Sequence, residues 1–251
     1  MATSALNATL VLITGANSGI GFATAEALAS DPNNYHVLMG YRNAEKGAQA
    51  VQALLKKGLS VEGVLMDVTD DASINNAASY VASKYGRLDV LINNAGHLLE
   101  RTPHGHPITR AEFHSTMDIN VFGAAMTTEA FIPLLKNAEL PRIVFVTSSL
   151  GSLGIKKEGV IPSSQREFPM YRCSKAAMNM LCLHYAGQYK DWKVNTCDPG
   201  LVRTNLVSFI PSPNPRLAEP EVGCRNSVRL AILGKDGETG TFSNRDGPLP
   251  W

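Results

Sequence analysis

A glycine-rich segment near the start of the sequence constrains the fold of this chain more than any other feature. Residues 14–21 read Thr-Gly-Ala-Asn-Ser-Gly-Ile-Gly; an apolar run at 10–13 precedes them, and a stretch rich in alanine follows at 22–28. This order predicts a strand, a tight turn and a helix whose first N–H groups could face phosphates. The glycines would allow the turn, the approach of backbone to a pyrophosphate, and close packing of helix on strand. A surface turn explains many such patterns, but a triphosphate-binding loop is excluded because no Lys-Ser or Lys-Thr pair follows.

The rest of the chain alternates apolar runs with helical patterns. We predict further strands at residues 36–41, 61–66, 88–92, 143–146, 193–197 and 241–242. We predict helices at residues 44–57, 71–85, 111–135, 170–189 and 222–233. Strands and helices in this order form right-handed βαβ units around a parallel sheet. The predicted fold class is therefore α/β: a single-domain, Rossmann-type doubly wound parallel sheet of about seven strands with helices on both faces. The domain would span residues 1–251, with a cofactor half at about 1–147 and a catalytic half at about 148–251.

The charge balance argues against several classes of partner. Lysine and arginine number 23 and the acidic residues 22, which leaves a formal net charge of +1. Such a balance gives no electrostatic footprint for nucleic acid or an anionic membrane. The four cysteines form no Cys-x-x-Cys pair, and in a chain of this length they favour a reduced, intracellular setting. Because neither a signal segment nor a membrane-length apolar run is evident, we expect a soluble, cytoplasmic protein.

Four histidines lie close together in the sequence and invite a metal hypothesis. They are His97, His104, His106 and His114. Their surroundings contain prolines and a glycine and lack a metal-binding pattern such as His-Glu-x-x-His. We expect a polar loop beside the substrate and no bound metal.

Tyr171 and Lys175 suggest proton chemistry. Residues at i and i+4 of a helix project from one face, so the Lys175 ammonium can lie near the Tyr171 phenol. An unperturbed phenol has a pKa of about 10, and roughly 3 units of lowering are needed for proton exchange near neutral pH. The ammonium and an oxidised nicotinamide could together supply that lowering. The pattern alone is also typical of an ordinary half-exposed helix face.

Several motifs occur together along nearly the whole chain. They are Thr14-Gly-x-x-x-Gly-x-Gly21, Asn93-Asn-Ala-Gly96, Asn120, Ser148, Tyr171-x-x-x-Lys175 and Pro199-Gly200-x-x-x-Thr204. In this combination the chain resembles the short-chain dehydrogenase/reductase family. Residues 240–251 look similar to carbonyl-reductase-like and fungal ketoreductase members.

The resemblance implies a role for each of four catalytic residues. Tyr171 would be the general acid in reduction and the base in oxidation, and Lys175 would bind the nicotinamide ribose and lower the pKa of Tyr171. Ser148 would polarise the substrate carbonyl, and Asn120 would hold a water that links Lys175 to solvent. Ser148 matches the family because it lies three residues before Gly151; Ser149 remains an alternative.

The resemblance also implies a dinucleotide site. Its residues would be Gly15, Asn17, Ser18, Gly19, Ile20, Gly21, Arg42, Asp67, Val68, Asn94, Ala95, Gly96, Tyr171, Lys175, Pro199, Gly200, Val202 and Thr204. Asp67 would bond to the adenine, unless it only closes a strand. Asp198, before the Pro-Gly turn, could be a turn former only.

The end of the second strand predicts the cofactor. A carboxylate there would pair with a free 2′-hydroxyl and repel a 2′-phosphate. Here Gly40 and Tyr41 carry no charge, and Arg42 follows with a guanidinium that can grip phosphate. The sequence therefore predicts NADP(H), although Ser18 stands where many NADP-dependent relatives carry a second basic residue.

Two stretches near the catalytic half bear on the substrate. Residues 201–220 carry Leu206, Val207, Phe209 and Ile210 between prolines, which predicts a lid over an apolar substrate or, alternatively, a subunit contact. Tyr171 follows Ser148 by 23 positions, whereas many members of the family that the chain resembles have a separation nearer a dozen. The resemblance thus implies an insertion around Lys156 to Gln165, which borders the substrate side. It leaves the substrate and the packing of a homodimer or homotetramer open.

We thus expect an NADP(H)-dependent oxidoreductase acting on a ketone or secondary alcohol of a small apolar molecule. A dinucleotide-binding sensor or scaffold without turnover, and an isomerase or dehydratase on the same fold, are the alternatives.

Overall fold

The computed structural model describes residues 8–99, 109–158, 168–211 and 213–251. The strands are β1 (Thr9–Ile13), β2 (Tyr35–Tyr41), β3 (Val61–Leu65), β4 (Val90–Asn93), β5 (Arg142–Val146), β6 (Lys193–Cys197), β7 (Phe242–Asn244) and β8 (Gly247–Pro248). The α-helices are α1 (Gly19–Ala29), α2 (Ala44–Leu55), α3 (Asp71–Tyr85), α4 (Arg110–Met117), α5 (Gly123–Leu135), α6 (Leu153–Lys157), α7 (Pro169–Gln188), α8 (Pro220–Gly223) and α9 (Arg225–Ala231).

The strands form one sheet in the order β3-β2-β1-β4-β5-β6-β7-β8. All neighbouring strands are parallel except the last pair. The chain reverses its direction of travel across the sheet between β1 and β4, which is the topological switch point of a doubly wound fold. The predicted fold class is confirmed. The structure adds the antiparallel β8 to the predicted set of about seven strands, since two residues are too short to show an alternation in the sequence.

Helices cover both faces of the sheet, as predicted. Within β1, Leu10 and Leu12 join the buried cluster that includes side chains of α3, α5 and α7. Val11 and Ile13 join the opposite cluster, with side chains of α1, α2 and α9. Successive side chains of a strand point to opposite faces, so this apolar run supplies both cores at once.

The helix predicted at 111–135 has a different internal structure. It begins one residue earlier, after a capping box between Thr109 and Glu112, and runs as α4 to Met117. A π-helical turn, Asp118–Phe122, then interrupts the α-helical pattern before α5 resumes, and Pro133 lies in the last turn of α5 as expected. π-turns often occur at functional sites, and this one contains Asn120. The helix predicted at 222–233 is likewise divided, because Cys224 separates α8 from α9.

No helix within the four described stretches is both long and apolar enough to cross a membrane.

Candidate active site

A cavity of about 470 Å³ lies along the edge of the sheet where the parallel strands end. Its walls come from the turns after β1 and β4, on either side of the switch point, which is where open α/β sheets bind ligands. All predicted cofactor residues line it: Gly15, Asn17, Ser18, Gly19, Ile20, Gly21, Arg42, Asp67, Val68, Asn94, Ala95, Gly96, Tyr171, Lys175, Pro199, Gly200, Val202 and Thr204. Ser148 lines the cavity too, so residues far apart in the sequence meet in one place.

The turn after β1 has a backbone that requires glycine. Gly15 and Gly19 have positive φ angles of +66° and +56°. A Cβ at Gly21 would lie 2.5 Å from Nδ2 of Asn94 and 2.6 Å from the carbonyl oxygen of Gly15, so no larger residue fits. The Ser18 side chain does not cap α1, and the first N–H groups of this helix are left to bind an anion.

The Thr14 hydroxyl joins the two turns at the switch point. It accepts hydrogen bonds from the backbone N–H groups of Asn94 (3.0 Å) and Ala95 (2.9 Å). The Asn94 side chain returns a bond to the Thr14 carbonyl at 2.8 Å. These contacts hold the glycine turn against the Asn-Ala-Gly turn and thereby fix the distance between the two walls of the cavity.

Tyr171, Lys175 and Ser148 converge at the other end of the cavity. The first two lie on α7, and the Lys175 ammonium is 5.5 Å from the centre of the Tyr171 ring. Lys175 Nζ donates to the carbonyl oxygen of Val146 (2.9 Å) and to the sulfur of Met178 (3.3 Å). The Ser148 hydroxyl is hydrogen-bonded to the Tyr171 phenol. Ser148 lines the cavity while Ser149 does not, so the geometry favours Ser148.

The electrostatics of the pair differ from the sequence-based expectation. Burial raises the pKa of Tyr171, the Asp198 carboxylate raises it further, and only the bond to Ser148 lowers it. The expected lowering of the Tyr171 pKa by Lys175 is therefore not found in the protein chain alone. Burial also lowers the pKa of Lys175 to about 8, against the effects of Cys197 and Asp198. Both groups are thus held toward their neutral forms, because burial disfavours either charge.

Asn120 is completely buried beside this pair and does not itself line the cavity. Its amide accepts from the backbone N–H of His97 (2.7 Å) and donates to the His97 carbonyl (2.9 Å). A further bond, 2.9 Å long, reaches the Ser174 hydroxyl on α7. Asn120 therefore connects the turn after β4 to the helix that carries Tyr171. Its expected water link to Lys175 stays a prediction.

The opposite end of the cavity contains two cations. Arg42 follows β2 and Lys46 lies in the first turn of α2; both are exposed and line the cavity. Among the described residues, neither side chain makes an ion pair. Tyr41 points elsewhere: its ring packs so closely on α2 and β3 that a Cβ at Gly47 would lie 2.2 Å from it. Lys46 was not among the predicted site residues: Asn43 marks the start of α2 as its N-cap, but no sequence pattern shows that the first turn of this helix borders the cavity.

One carboxylate oxygen of Asp67 is already hydrogen-bonded within its own turn. Its Oδ1 accepts from the backbone N–H and the hydroxyl of Thr69, at 3.0 and 2.8 Å. The residue does line the cavity, so a role in binding adenine stays a prediction beside its role in closing β3.

The predicted lid, residues 201–220, has its two ends joined to each other, and its middle contacts the residue that precedes α7. Val202 and Ala218 form a bridge, and Arg203 pairs with Glu219 at 2.8 Å. Phe209 packs against Phe168, which directly precedes α7 and has a positive φ of 44°. Leu206 and Val207 line the main cavity, while Ile210 faces a second cavity behind the lid. Whether the segment moves or contacts a subunit stays a prediction.

Some predicted features fall partly outside the described residues. His104, His106 and most of the insertion around Lys156 to Gln165 lie there. Of the other two histidines, His97 lines the cavity and His114 packs on Phe122. No cluster of three metal-ligating side chains occurs in the described ranges.

Comparison with known proteins identifies the class. The sequence profile of the short chain dehydrogenase family matches residues 9–214. The chain therefore belongs to the short-chain dehydrogenase/reductase family of oxidoreductases, whose members bind a nicotinamide dinucleotide.

Individual relatives come from fungi, plants and animals. The chain is 41% identical to the short-chain dehydrogenase/reductase ATR10 of Stachybotrys chlorohalonatus, over 96% of this chain and 94% of the relative. It is 30% identical to the (+)-neomenthol dehydrogenase of Arabidopsis thaliana, over 93% and 95%. Its structure is similar to that of NADPH-bound carbonyl reductase from chicken fatty liver, with a TM-score of 0.82, 27% identity, and coverage of 97% and 99%.

Proposed function

We propose that this protein is an NADP(H)-dependent oxidoreductase that transfers a hydride between nicotinamide and a ketone or secondary alcohol. The observation that carries the proposal is the shared cavity: Ser148, Tyr171 and Lys175 line the same space as the glycine turn and the uncapped start of α1. A protein that only binds the dinucleotide has no need for a hydroxyl, a phenol and an ammonium at the nicotinamide end.

The chain's own groups handle the proton. Tyr171 donates a proton to the carbonyl oxygen during reduction and accepts it during oxidation, while Ser148 donates a hydrogen bond to the same oxygen. Two of the three Lys175 donors are used by Val146 and Met178, which leaves one for the ribose hydroxyls. The bound cofactor supplies the hydride at nicotinamide C4.

The charges at the adenosine end support NADP(H) over NAD(H). Arg42 and Lys46 offer two cations to a 2′-phosphate, and the uncharged Tyr41 ring is packed away from the cavity. Lys46 supplies the second basic residue that is missing at Ser18.

The surroundings of Tyr171 support a small apolar substrate. Ile119, Leu206 and Val207 are apolar residues that line the cavity, together with polar ones such as His97 and Asn205. We propose that residues 201–220 close over such a substrate as a lid. The division into a cofactor half and a catalytic half, the homodimer or homotetramer and the cytoplasmic location remain part of this proposal.

A panel of ketones tests the proposal. The purified protein is mixed with NADPH or NADH, and both nucleotide consumption and product are measured. We expect NADPH consumption with equimolar alcohol. If NADPH binds but no ketone in the panel causes its consumption or yields a product, the result would instead favour a sensor. Product formed without net consumption of NADPH would favour an isomerase or dehydratase.

A further inference from the structure

Asp198 is a buried carboxylate in the cavity that the reaction as described does not use. It follows the last residue of β6, is 6% exposed, and lines the cavity together with Tyr171 and Lys175. Its Oδ1 accepts from the backbone N–H of Gly200 at 2.9 Å, which shapes the Pro-Gly turn. An asparagine would form the same turn, so turn formation does not explain a negative charge here.

The sheet register places this carboxylate near the catalytic ammonium. Val146 of β5 pairs with Cys197 of β6, and the Val146 carbonyl is the one that accepts from Lys175. Asp198 is the next residue after Cys197, so its backbone lies about one strand spacing, ~4.8 Å, from the end of β5. Its own N–H donates to the Ser243 carbonyl at 2.9 Å, which fixes it between β5 and β7.

The other charged groups around β6 leave this carboxylate without a direct partner among the described residues. Arg229 of α9 is the cation on the far side, but its guanidinium bonds to Glu238 (2.8 Å), Asn226 (2.9 Å) and Ser243 (3.0 Å). Burial raises the pKa of the neighbouring Cys197 thiol. On the cavity side, His97 lies beyond β5 at the end of β4.

Asp198 acts on both catalytic groups of α7. After burial, it is the group that raises the pKa of Tyr171. Together with Cys197, it opposes the effect of burial on the pKa of Lys175. Its charge thus favours a neutral phenol and a positive ammonium.

We propose that Asp198 is a positioning residue whose negative charge makes the site favour carbonyl reduction over alcohol oxidation. The proposal rests on the proposed function. In reduction, the bound cofactor would supply a hydride to the carbonyl carbon, and Tyr171 would give its proton to the carbonyl oxygen. The phenol must therefore start protonated, and the oxidised cofactor would carry a positive charge on its ring. A nearby carboxylate favours the protonated phenol and would favour the oxidised form of the bound cofactor.

The substitution Asp198→Asn isolates the charge, because the amide oxygen can still accept from Gly200. Rates of ketone reduction and alcohol oxidation are measured against pH, together with the Kd of NADPH and of NADP⁺. We expect the pH at which reduction falls and oxidation rises to move down by about 1 unit. We expect the Kd of NADP⁺ relative to that of NADPH to rise about tenfold.

Three controls make the result decisive. Asp246→Asn removes the same charge from an exposed site, where the side chain is 76% exposed, and should change neither quantity. If Asp198→Asn folds poorly, Asp198→Ser is a second uncharged variant that should show the same shifts in pH profile and Kd ratio. Asp198→Ala also removes the acceptor for Gly200.

Several outcomes would overturn the inference. Unchanged pH profiles and an unchanged Kd ratio in Asp198→Asn, with activity lost only in Asp198→Ala, would leave Asp198 as a turn former while the proposed function stands. A change of equal size in Asp246→Asn would assign the effect to overall charge. Failure of the wild type to bind either nucleotide would overturn both proposals.

Discussion

Two polar clusters with similar side chains lie at opposite ends of the sheet. The amino-end cluster consists of His36, Glu62, Tyr80, Lys84 and Tyr85, around the starts of β2 and β3. The carboxyl-end cluster consists of Ser148, Tyr171, Lys175 and Asp198, around the ends of β5 and β6. Each contains a carboxylate, a lysine and tyrosine, yet their charges are arranged in opposite ways.

In the amino-end cluster every charge meets its partner directly. Lys84 donates to Oε2 of Glu62 at 2.6 Å, and the Tyr85 hydroxyl donates to the same oxygen at 2.8 Å. The Tyr80 hydroxyl donates to the other carboxylate oxygen, Oε1. Burial alone would raise the pKa of Glu62, but the hydrogen bonds from His36, Lys84 and the tyrosines hold it well below its usual range. Bonds to Glu62 and Tyr80 likewise outweigh burial and raise the pKa of Lys84. This arrangement stabilises the fold.

In the carboxyl-end cluster the charges do not meet. Lys175 bonds to a carbonyl and a thioether, and Asp198 bonds to a backbone N–H. Burial therefore wins over pairing: the pKa of Lys175 falls to about 8, and that of Tyr171 rises. Charges kept close but unpaired cost stability, and such perturbed groups in a cavity indicate a functional site. The same residue types thus serve structure when paired and chemistry when held apart.

The largest expected effect comes from Tyr171→Phe. The variant loses the proton donor, so turnover should fall by about 10³-fold or more, while NADPH binding stays within a few fold. Steady-state kinetics and fluorescence titration of NADPH measure the two quantities. Tyr85→Phe is the matched control at the amino end, where loss of a phenol should leave kcat unchanged. Residual activity near a tenth of wild type in Tyr171→Phe would contradict the assignment.

The next effect concerns the hydroxyl bonded to that phenol. Ser148→Ala removes one positioned donor to the substrate oxygen and should lower kcat by about 10²-fold. The neighbouring Ser149→Ala is the control, since Ser149 does not line the cavity. A larger loss in Ser149→Ala than in Ser148→Ala would reverse the choice between the two serines.

Cofactor preference should respond to Arg42 and Lys46, the two cations at the adenosine end of the cavity. A hydrogen bond to a charged group contributes about 1.5–3 kcal/mol, so we expect wild type to prefer NADPH over NADH by roughly 10- to 150-fold. Arg42→Ala should raise the KM for NADPH and barely change that for NADH, and Lys46→Ala should do the same to a smaller extent. Kinetics with both nucleotides measure this, with Lys56→Ala at the far end of α2 as the control.

Equal weakening of both cofactors by Arg42→Ala, or equal use of NADH and NADPH by wild type, would defeat the NADP(H) proposal. Tyr41→Asp would put a carboxylate at the end of β2, where it could pair with the free 2′-hydroxyl of NADH. It is nevertheless a poor test of cofactor preference, because the Tyr41 ring fills the space over Gly47 and Gly63 and its loss would leave a void.

The sequence predicted the parts of the site that local patterns encode. The glycine turn was predictable because it lies between a strand and a helix, and the spacing of Tyr171 and Lys175 placed them on one helix face. The choice of Ser148, and the catalytic roles of all three side chains, came from the family resemblance. Three features were not predictable: the position of Lys46 at the cavity, the effect of the Asp198 charge on Tyr171 and Lys175, and the packing of the Tyr41 ring. Each depends on contacts between elements that are distant in the sequence. The π-turn at Asn120 was missed for the same reason: the periodicity of residues 111–135 reads as one helix, and the contacts of Asn120 with His97 and Ser174 appear only in the fold.

The smallest expected effect on turnover, and the sharpest contrast between the clusters, comes from Glu62→Gln. A carboxyl group whose folded pKa lies below its ordinary value of 4.5 stabilises the fold above that pH, and the contribution is lost as pH falls toward the folded pKa. The variant should therefore lose about 1–3 kcal/mol of unfolding free energy at neutral pH and show a weaker decline on acidification, with kcat unchanged. Urea unfolding at several pH values measures this, and Glu139→Gln, an exposed site, is the control. If Glu62→Gln instead lowered kcat without changing stability, the amino-end cluster would belong to the reaction and the contrast between the two ends would fail.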